Sequence, residues 1–198
     1  MIRVVAITDR RCSDMLPRLR AILAAAPRGS VRVQVREKDL DGGPLLALVR
    51  EVMAIAKPAG AEVWVNDRVD VALAAGADGV HLPEHGMAIA EARALGVGAV
   101  GCSRHSIDGA RQAARDGADA VQLGPIFATP GKGEPLGVDV LGLRIGVPVI
   151  AVGGIDSPER AREAARAGAD AVAVIRAAWT TADPATAIAA LVAAVSRR

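Results

Sequence analysis

Four short segments of this 198-residue chain carry side chains able to handle anions or protons. The first is Val31-Arg32-Val33-Gln34-Val35-Arg36-Glu37-Lys38. A strand's two-residue period sends Val31, Val33 and Val35 to one face and Arg32, Gln34, Arg36 and Lys38 to the other. Such a polar face is solvated on an edge strand. If buried, it needs an anionic ligand or internal carboxylates to compensate its charge. The second segment is Asn66-Asp67, at the end of a strand-like run. A carboxylate there can hold Mg²⁺ or cap the helix that follows at 68–73. The third is Ser103-Arg104-His105-Ser106, in which His105 is flanked by hydroxyls and suits proton transfer near neutrality, or simply enters a helix. His81, inside a strand, reads as structural, and His85 as a loop residue. The fourth is Gly153-Gly154, whose bare backbone amides can approach a phosphate closely. Arg176 follows the last strand and either adds a cation there or faces solvent. No Ser-His-Asp order and no HExxH pattern occurs.

These segments need a scaffold, and the apolar pattern supplies one. Strand candidates are Val4–Thr8, Val31–Glu37, Glu62–Asn66, Gly79–Leu82, Ala99–Ser103, Ala120–Gly124, Val149–Gly153 and Ala171–Ile175. Helical patterns lie between them, among them Leu45–Ala56, Ile89–Leu95, Ile107–Asp116, Glu159–Ala167 and Pro184–Ser196. Strand–helix alternation predicts a parallel sheet with right-handed crossovers. Eight such units predict an α/β fold, a single minimal (β/α)8 TIM barrel spanning residues 1–198. An open doubly wound sheet is the alternative, but no GxGxxG follows the first strand. In a barrel the helices cover the outer face, so the valines of the second strand belong outside and its polar set points inward. Asn66, Asp67, His105 and the Gly-Gly pair then gather at the C-terminal mouth, where barrel active sites form and where loops after strands seven and eight bind phosphate. The repeats Gly76-Ala77-Asp78, Gly117-Ala118-Asp119 and Gly168-Ala169-Asp170 each sit between a helix and a strand, at the opposite face, and are expected to serve stability. The longest aperiodic stretch, Pro125–Gly137, is Gly- and Pro-rich and of a length usually tied to function.

Composition removes several function classes. Basic and acidic side chains number 24 and 22, for a formal charge of +2, which gives no footprint for nucleic acid. Aromatics are 2%, limited to Trp64, Phe127 and Trp179, too few for base stacking on single strands. Trp64 shares a strand face with Asn66 and should point into the barrel below the site. Cys12 and Cys102 suggest reduced thiols rather than a disulfide framework. Neither a signal peptide nor a run near the ~18 apolar residues of a membrane span is present, so a cytoplasmic location and no membrane partner are expected.

Together, several motifs resemble the thiamine-phosphate synthase/TenI family of thiamine-pathway barrels. They are Val33-Gln34-Val35-Arg36-Glu37-Lys38, Asn66-Asp67-Arg68-Val69-Asp70, Gly79-Val80-His81-Leu82, Gly124-Pro125-Ile126-Phe127-Ala128-Thr129-Pro130 and Pro148-Val149-Ile150-Ala151-Val152-Gly153-Gly154-Ile155. The resemblance implies pyrophosphate contacts at Gln34, Arg36, Lys38 and Asn66, and a thiazole phosphate on Gly153, Gly154, Val174 and Ile175. It implies substrate contacts at Ser103, Thr129 and Lys132, and a proton shuttle at His105. A homodimer is a further family expectation. Synthase members join a hydroxymethylpyrimidine diphosphate to a thiazole phosphate using Mg²⁺, for which Asp67 would be a ligand. TenI-type members isomerise a thiazole phosphate to its aromatic tautomer without a metal cofactor. Two departures separate this chain from the synthase pattern: Gly86 stands where a second metal carboxylate is usual, unless Glu84 substitutes, and Thr129-Pro130-Gly131-Lys132 lacks the second hydroxyl of Thr-x-Thr-Lys. The leading expectation is therefore a TenI-like thiazole tautomerase acting on one small phosphorylated heterocycle, which also suits an aromatic-poor pocket. Thiamine-phosphate synthase and a non-catalytic phosphate-ligand sensor are the alternatives.

Overall fold

The computed structural model describes residues 1–196; the last two residues of the expected domain lie outside the described residues. Eight short strands form a closed parallel barrel: β1 (Val4–Ile7), β2 (Val31–Val35), β3 (Glu62–Asn66), β4 (Gly79–Leu82), β5 (Val100–Arg104), β6 (Ala120–Leu123), β7 (Val149–Val152) and β8 (Ala171–Val174). Pairing of Val4 with both Val31 and Val172 closes the ring. The outer layer is α1 (Met15–Ala25), α2 (Gly42–Ala56), α3 (Val69–Ala75), α4 (Ile89–Ala94), α5 (Ile107–Arg115), α6 (Pro158–Ala167), α7 (Arg176–Trp179) and α8 (Pro184–Val195). Between β6 and β7 the described residues hold no α-helix, only a 3₁₀ turn at Asp139–Gly142 after the Gly- and Pro-rich loop.

The two faces of β2 divide as its alternation requires. Val31, Val33 and Val35 are buried in the layer between sheet and helices, together with Val49, Val52 and Leu45 of α2. A separate inner cluster of Val5, Ile7, Ala120, Ile150, Ala171 and Ala173 fills part of the barrel. The opposite side of the interior is filled by Trp64, for which Gly79 and Gly101 on the next two strands make room. A Cβ at Gly101 would lie 2.6 Å from the indole, and one at Gly79 2.9 Å from it. Arg32 stacks on this ring at 3.8 Å and pairs with Glu62 at 2.8 Å. Burial pulls its guanidinium pKa down while Glu62 opposes the shift. The lowest cation of β2 is thus neutralised inside the barrel and takes no part in the mouth.

The repeated Gly-Ala-Asp turns are clamps. Asp78, Asp119 and Asp170 each accept a hydrogen bond from the first or second amide of the preceding strand, at Val63 (2.8 Å), Val100 (2.6 Å) and Val149 (2.9 Å). Each also donates its own N–H back to the carbonyl of that same residue. A side chain and a main chain therefore join neighbouring strands at the N-terminal face, where no chemistry is needed.

Candidate active site

β1, β2, β6, β7 and β8 end one or two residues before the patterns suggest, β3 and β4 end as expected and β5 runs one residue further, and the residues beyond them build the mouth. Past Val35 the chain is held by two buried groups. Thr8 Oγ1 accepts from the Arg36 amide at 2.9 Å, and the Glu37 carboxylate accepts from the Arg10 amide at 3.1 and 3.2 Å. Glu37 is only 5% exposed, so this carboxylate between two cations is a strut rather than a ligand. It leaves Arg36 and Lys38 lining a cleft of about 510 Å³ at the C-terminal mouth. Every site residue expected from the sequence lines this cleft: Gln34, Asn66 and Asp67 beside the two cations, Ser103 in β5 and His105 just past it, Thr129 and Lys132 in the long loop, and Gly153, Gly154, Val174 and Ile175 at β7 and β8.

The floor is a chain of amides. Gln122 Nε2 donates to Gln34 Oε1 at 2.6 Å, and Gln34 Nε2 donates to Asn66 Oδ1 at 3.2 Å. Gln34 and Gln122 are 2% and 4% exposed, so their polarity inside the barrel is satisfied by each other. Gln34 is consequently deeper and more engaged than a free anion contact, and the exposed charge lies with Arg36 and Lys38.

Asp67 has φ of 66°, a left-handed conformation in which Asp is one of the few tolerated side chains. It does not cap α3: the cap position is Arg68, with no side-chain cap bond. The cap alternative is therefore not realised, and the carboxylate is exposed at the mouth. A Cβ on Gly86 would lie 3.2 Å from Asp67 Oδ1, but also 2.8 Å from the Pro83 ring. Glu84 does not fill the gap, because its carboxylate is engaged with His105. Among the described residues no group of three or more His, Cys, Asp or Glu side chains could hold a metal ion. The donors present fit Mg²⁺ only as one carboxylate completed by phosphate oxygens and water, a set this ion accepts.

His105 is held from two sides. Its Nδ1 meets the carbonyl oxygen of Gly124, its amide donates to Glu84 Oε1 at 3.3 Å, and its Nε2 stands 3.7 Å from Glu84 Oε2. Ser106 caps α5 by accepting from the Gly109 amide at 3.0 Å. Ser103 Oγ is 2.8 Å from His81 Nε2. His81 is structural, as expected: burial, reinforced by the charges of Arg32, Arg104 and Arg36, pushes its pKa down to about 3 and keeps it neutral.

Gly153 and Gly154 have φ of 95° and 67°. Side chains here would also strike the loop after β6, at 2.7 Å from Pro125 and 2.6 Å from Phe127. Glycine is thus demanded by conformation and by packing at once. Arg160 secures the turn by donating to the Gly154 carbonyl at 2.7 Å. The base of the 125–137 loop is laced to β7 and to itself: Ile126 N–H to Val152 O, Phe127 N–H to Gly153 O, and Leu136 N–H to Pro125 O. Thr129 spends its hydroxyl proton on Phe127 O at 2.9 Å.

Sequence reasoning passed over Asp9, Gln122 and Asp156, which line the cleft together with Pro83 and Glu84. Gln122 was discoverable, since it is a polar residue at an inward position of β6. Asp9 follows a strand end as Asp67 does; its carboxyl is held below the usual range chiefly by Arg11. Arg176 lines the cleft while remaining exposed. None of Trp64, Phe127 and Trp179 lines it, so the cleft is as poor in aromatic walls as the composition suggests. Trp179 is instead fully buried and donates to Ile7 O at 2.6 Å.

Comparison with known proteins agrees with this architecture. Residues 4–178 match the family profile described as thiamine monophosphate synthase. A putative thiamine-phosphate synthase of Geobacter sulfurreducens is 46% identical over 190 residues, covering 90% of this chain and 87% of that protein. A thiamine-phosphate synthase of Chloroflexus aurantiacus is 41% identical over 184 residues, covering 88% and 84%. The solved structure of thiamine phosphate pyrophosphorylase from Pyrococcus furiosus superposes with a TM-score of 0.88 at 30% identity, covering 98% of this chain and 95% of that one. With its closed eight-stranded barrel and a polar mouth in the expected place, the chain belongs to the thiamine monophosphate synthase family of thiamine-biosynthesis enzymes.

Proposed function

We propose that this chain is a thiamine-phosphate synthase, joining a hydroxymethylpyrimidine diphosphate to a thiazole phosphate and releasing pyrophosphate. The carrying observation is that groups suited to anions line one cleft from two sets of strands. Arg36, Lys38 and Asp67 stand at β2 and β3, while the Gly153-Gly154 turn and the end of β8 stand across it. Two phosphorylated substrates need both; an isomerase of one thiazole phosphate needs only the second. The synthase names of the relatives favour the same choice over the tautomerase expected from the sequence.

In this reading the amides of the Gly153-Gly154 turn take the thiazole phosphate, and Arg36 and Lys38 take the diphosphate. The thiazole ring nitrogen supplies an electron pair to the pyrimidine's methylene carbon as the carbon–oxygen bond to diphosphate breaks, and pyrophosphate leaves with that bonding pair. The charge gathering on the leaving group lies against fixed cations. Asp67 would hold Mg²⁺ jointly with diphosphate oxygens, and the ion when bound neutralises the leaving group. Lys38→Ala and Asp67→Ala should each lower Mg²⁺-dependent pyrophosphate release by at least ~10²-fold, the usual cost of losing one preorganised charge contact. Full activity in both variants would contradict the assignment.

A second reading, the tautomerase, has one specific support: His105 is fixed at the rim of a cleft in which, among the described residues, Asp9, Glu84 and Asp156 are engaged by other side chains and Asp67 is the carboxylate left for a metal. It predicts that His105→Asn slows aromatisation of the non-aromatic thiazole tautomer by ~tenfold or more. An unchanged rate would remove His105 from that role.

A further inference from the structure

Arg176 is a cation of the cleft that neither reading uses, and the chain around it leaves its charge free. It opens α7, the single helical turn that follows β8, directly after Ile175. Its main chain is fixed. The Arg176 carbonyl accepts from the Thr180 amide and from the Thr180 hydroxyl, each at 2.9 Å. Trp179, fully buried, ties the same turn to β1 through the Ile7 carbonyl. The guanidinium, by contrast, lines the cleft, is exposed, and makes no hydrogen bond or ion pair among the described residues. The strands on either side of β8 are β7 and β1, and each is followed by an acid that lines the cleft, Asp156 and Asp9. Both acids have arginines of their own. Asp156 pairs with Arg160 at 3.0 Å and Asp9 with Arg11 at 2.9 Å. Arg160 is spent further on the Gly154 carbonyl at 2.7 Å. These pairs cancel, and Arg176 remains as uncompensated positive charge on the side of the cleft lined by Gly153, Gly154, Val174 and Ile175.

We propose that Arg176 is a specificity-determining residue: its guanidinium adds a charged, two-pronged contact to a phosphate on the Gly153-Gly154 turn, and so selects the phosphorylated thiazole over the same thiazole with a free hydroxyl. The proposal rests on the reading of that side of the cleft as the place of the thiazole phosphate, and names the group that reads its charge. Main-chain amides offer partial charges, whereas a guanidinium offers a full charge and a planar pair of donors that match phosphate oxygens. Nothing else in the fold uses the charge of Arg176. The contact is to the phosphate and not to the reacting atoms, so it contributes binding that is equal in the ground state and the transition state.

Arg176→Gln removes the charge and keeps a polar side chain at an exposed position. Pyrophosphate release from hydroxymethylpyrimidine diphosphate with Mg²⁺ is measured with each of the two thiazoles as acceptor. In wild type the phosphorylated one should have the higher kcat/KM. In Arg176→Gln that preference should shrink by ~tenfold or more, the worth of a hydrogen bond to a charged group. The loss should be a rise in KM for thiazole phosphate, with kcat within about twofold, as expected for uniform binding. Arg176→Lys keeps the charge without the fork and should fall between the two. Added KCl should erode the preference more in wild type than in Arg176→Gln, because an exposed charge is screened. An equal loss for both acceptors would mean that Arg176 acts on the fold, and an unaltered preference that it does not reach the phosphate; either result overturns the proposal. Calorimetric binding of each thiazole, without the pyrimidine, separates this outcome from the synthase reading. If no pyrophosphate is released yet the binding preference shrinks in Arg176→Gln, the synthase reading fails and the role of Arg176 stands. If wild type binds the two thiazoles equally, the proposal fails whether or not pyrophosphate is released.

Discussion

His81 and His105 illustrate how burial sorts one residue type into two jobs. His81 is enclosed in β4, bonded to Ser103 and held neutral, with its pKa near 3. His105, three residues beyond the midpoint of β5, has half its side chain in solvent at the cleft. The sequence distinguishes them correctly because one lies within an apolar run and the other after its end. The depressed pKa of His81 has a thermodynamic consequence. In the unfolded chain its pKa is 6.5, so on acidification the unfolded state gains a proton that the folded state refuses. Its stabilising effect is fully present above pH 6.5 and is lost as the pH falls from there through about 3. The slope over that window is up to ~1.4 kcal/mol per pH unit. Urea denaturation at several pH values should show a shallower acid loss for His81→Gln than for wild type between those limits; equal slopes would mean that His81 is protonated in the fold. Partners that depend on distant chain segments were not legible at this scale. Nothing local in Glu84 says that it will face His105 rather than the position beside Asp67.

At the scale of elements, large and small residues are traded across strands. Trp64 occupies room that Gly79 and Gly101 leave open, and these glycines have ordinary backbone angles, so their reason is packing. Gly101→Ala should therefore destabilise by ~1–3 kcal/mol, the range for overpacking. The cost should shrink in a Trp64→Leu background, where the ring edge is gone; an equal cost in both would refute the pairing. The Asp clamps make a parallel prediction. Asp170→Ala strands the Val149 amide and should cost ~1–3 kcal/mol in denaturant titration, whereas Asp170→Asn keeps an acceptor and should cost less. The placement of these turns was readable from Gly-Ala-Asp spacing. Their action as cross-strand clamps was not, because each bond joins residues about twenty positions apart. The missing helix between β6 and β7 follows from the Gly- and Pro-rich composition of 125–137, which offers no apolar period to dock.

For the whole molecule, barrel closure is what turns scattered residues into a site. Arg36 and Lys38 meet Gly153 and Gly154, more than a hundred positions away, because β8 pairs with β1. Period-two alternation and eight strand–helix units were enough to foresee this ring, as every strand boundary falls within two residues of its expectation. The choice of reaction was harder to read. Gly86 at the position of a second metal carboxylate and the lack of an aromatic wall point to the tautomerase, while the closed barrel shows the β2–β3 cations and the Gly153-Gly154 turn lining one cleft. The proposed synthase reaction uses both sides of the cleft in one turnover. The decisive measurement follows pyrophosphate release from wild-type protein with Mg²⁺ and hydroxymethylpyrimidine diphosphate, with and without thiazole phosphate, while watching for aromatisation of the thiazole tautomer in the same preparation. Pyrophosphate release should require both substrates and match product one to one. Aromatisation without any pyrophosphate release at saturating Mg²⁺ would contradict it.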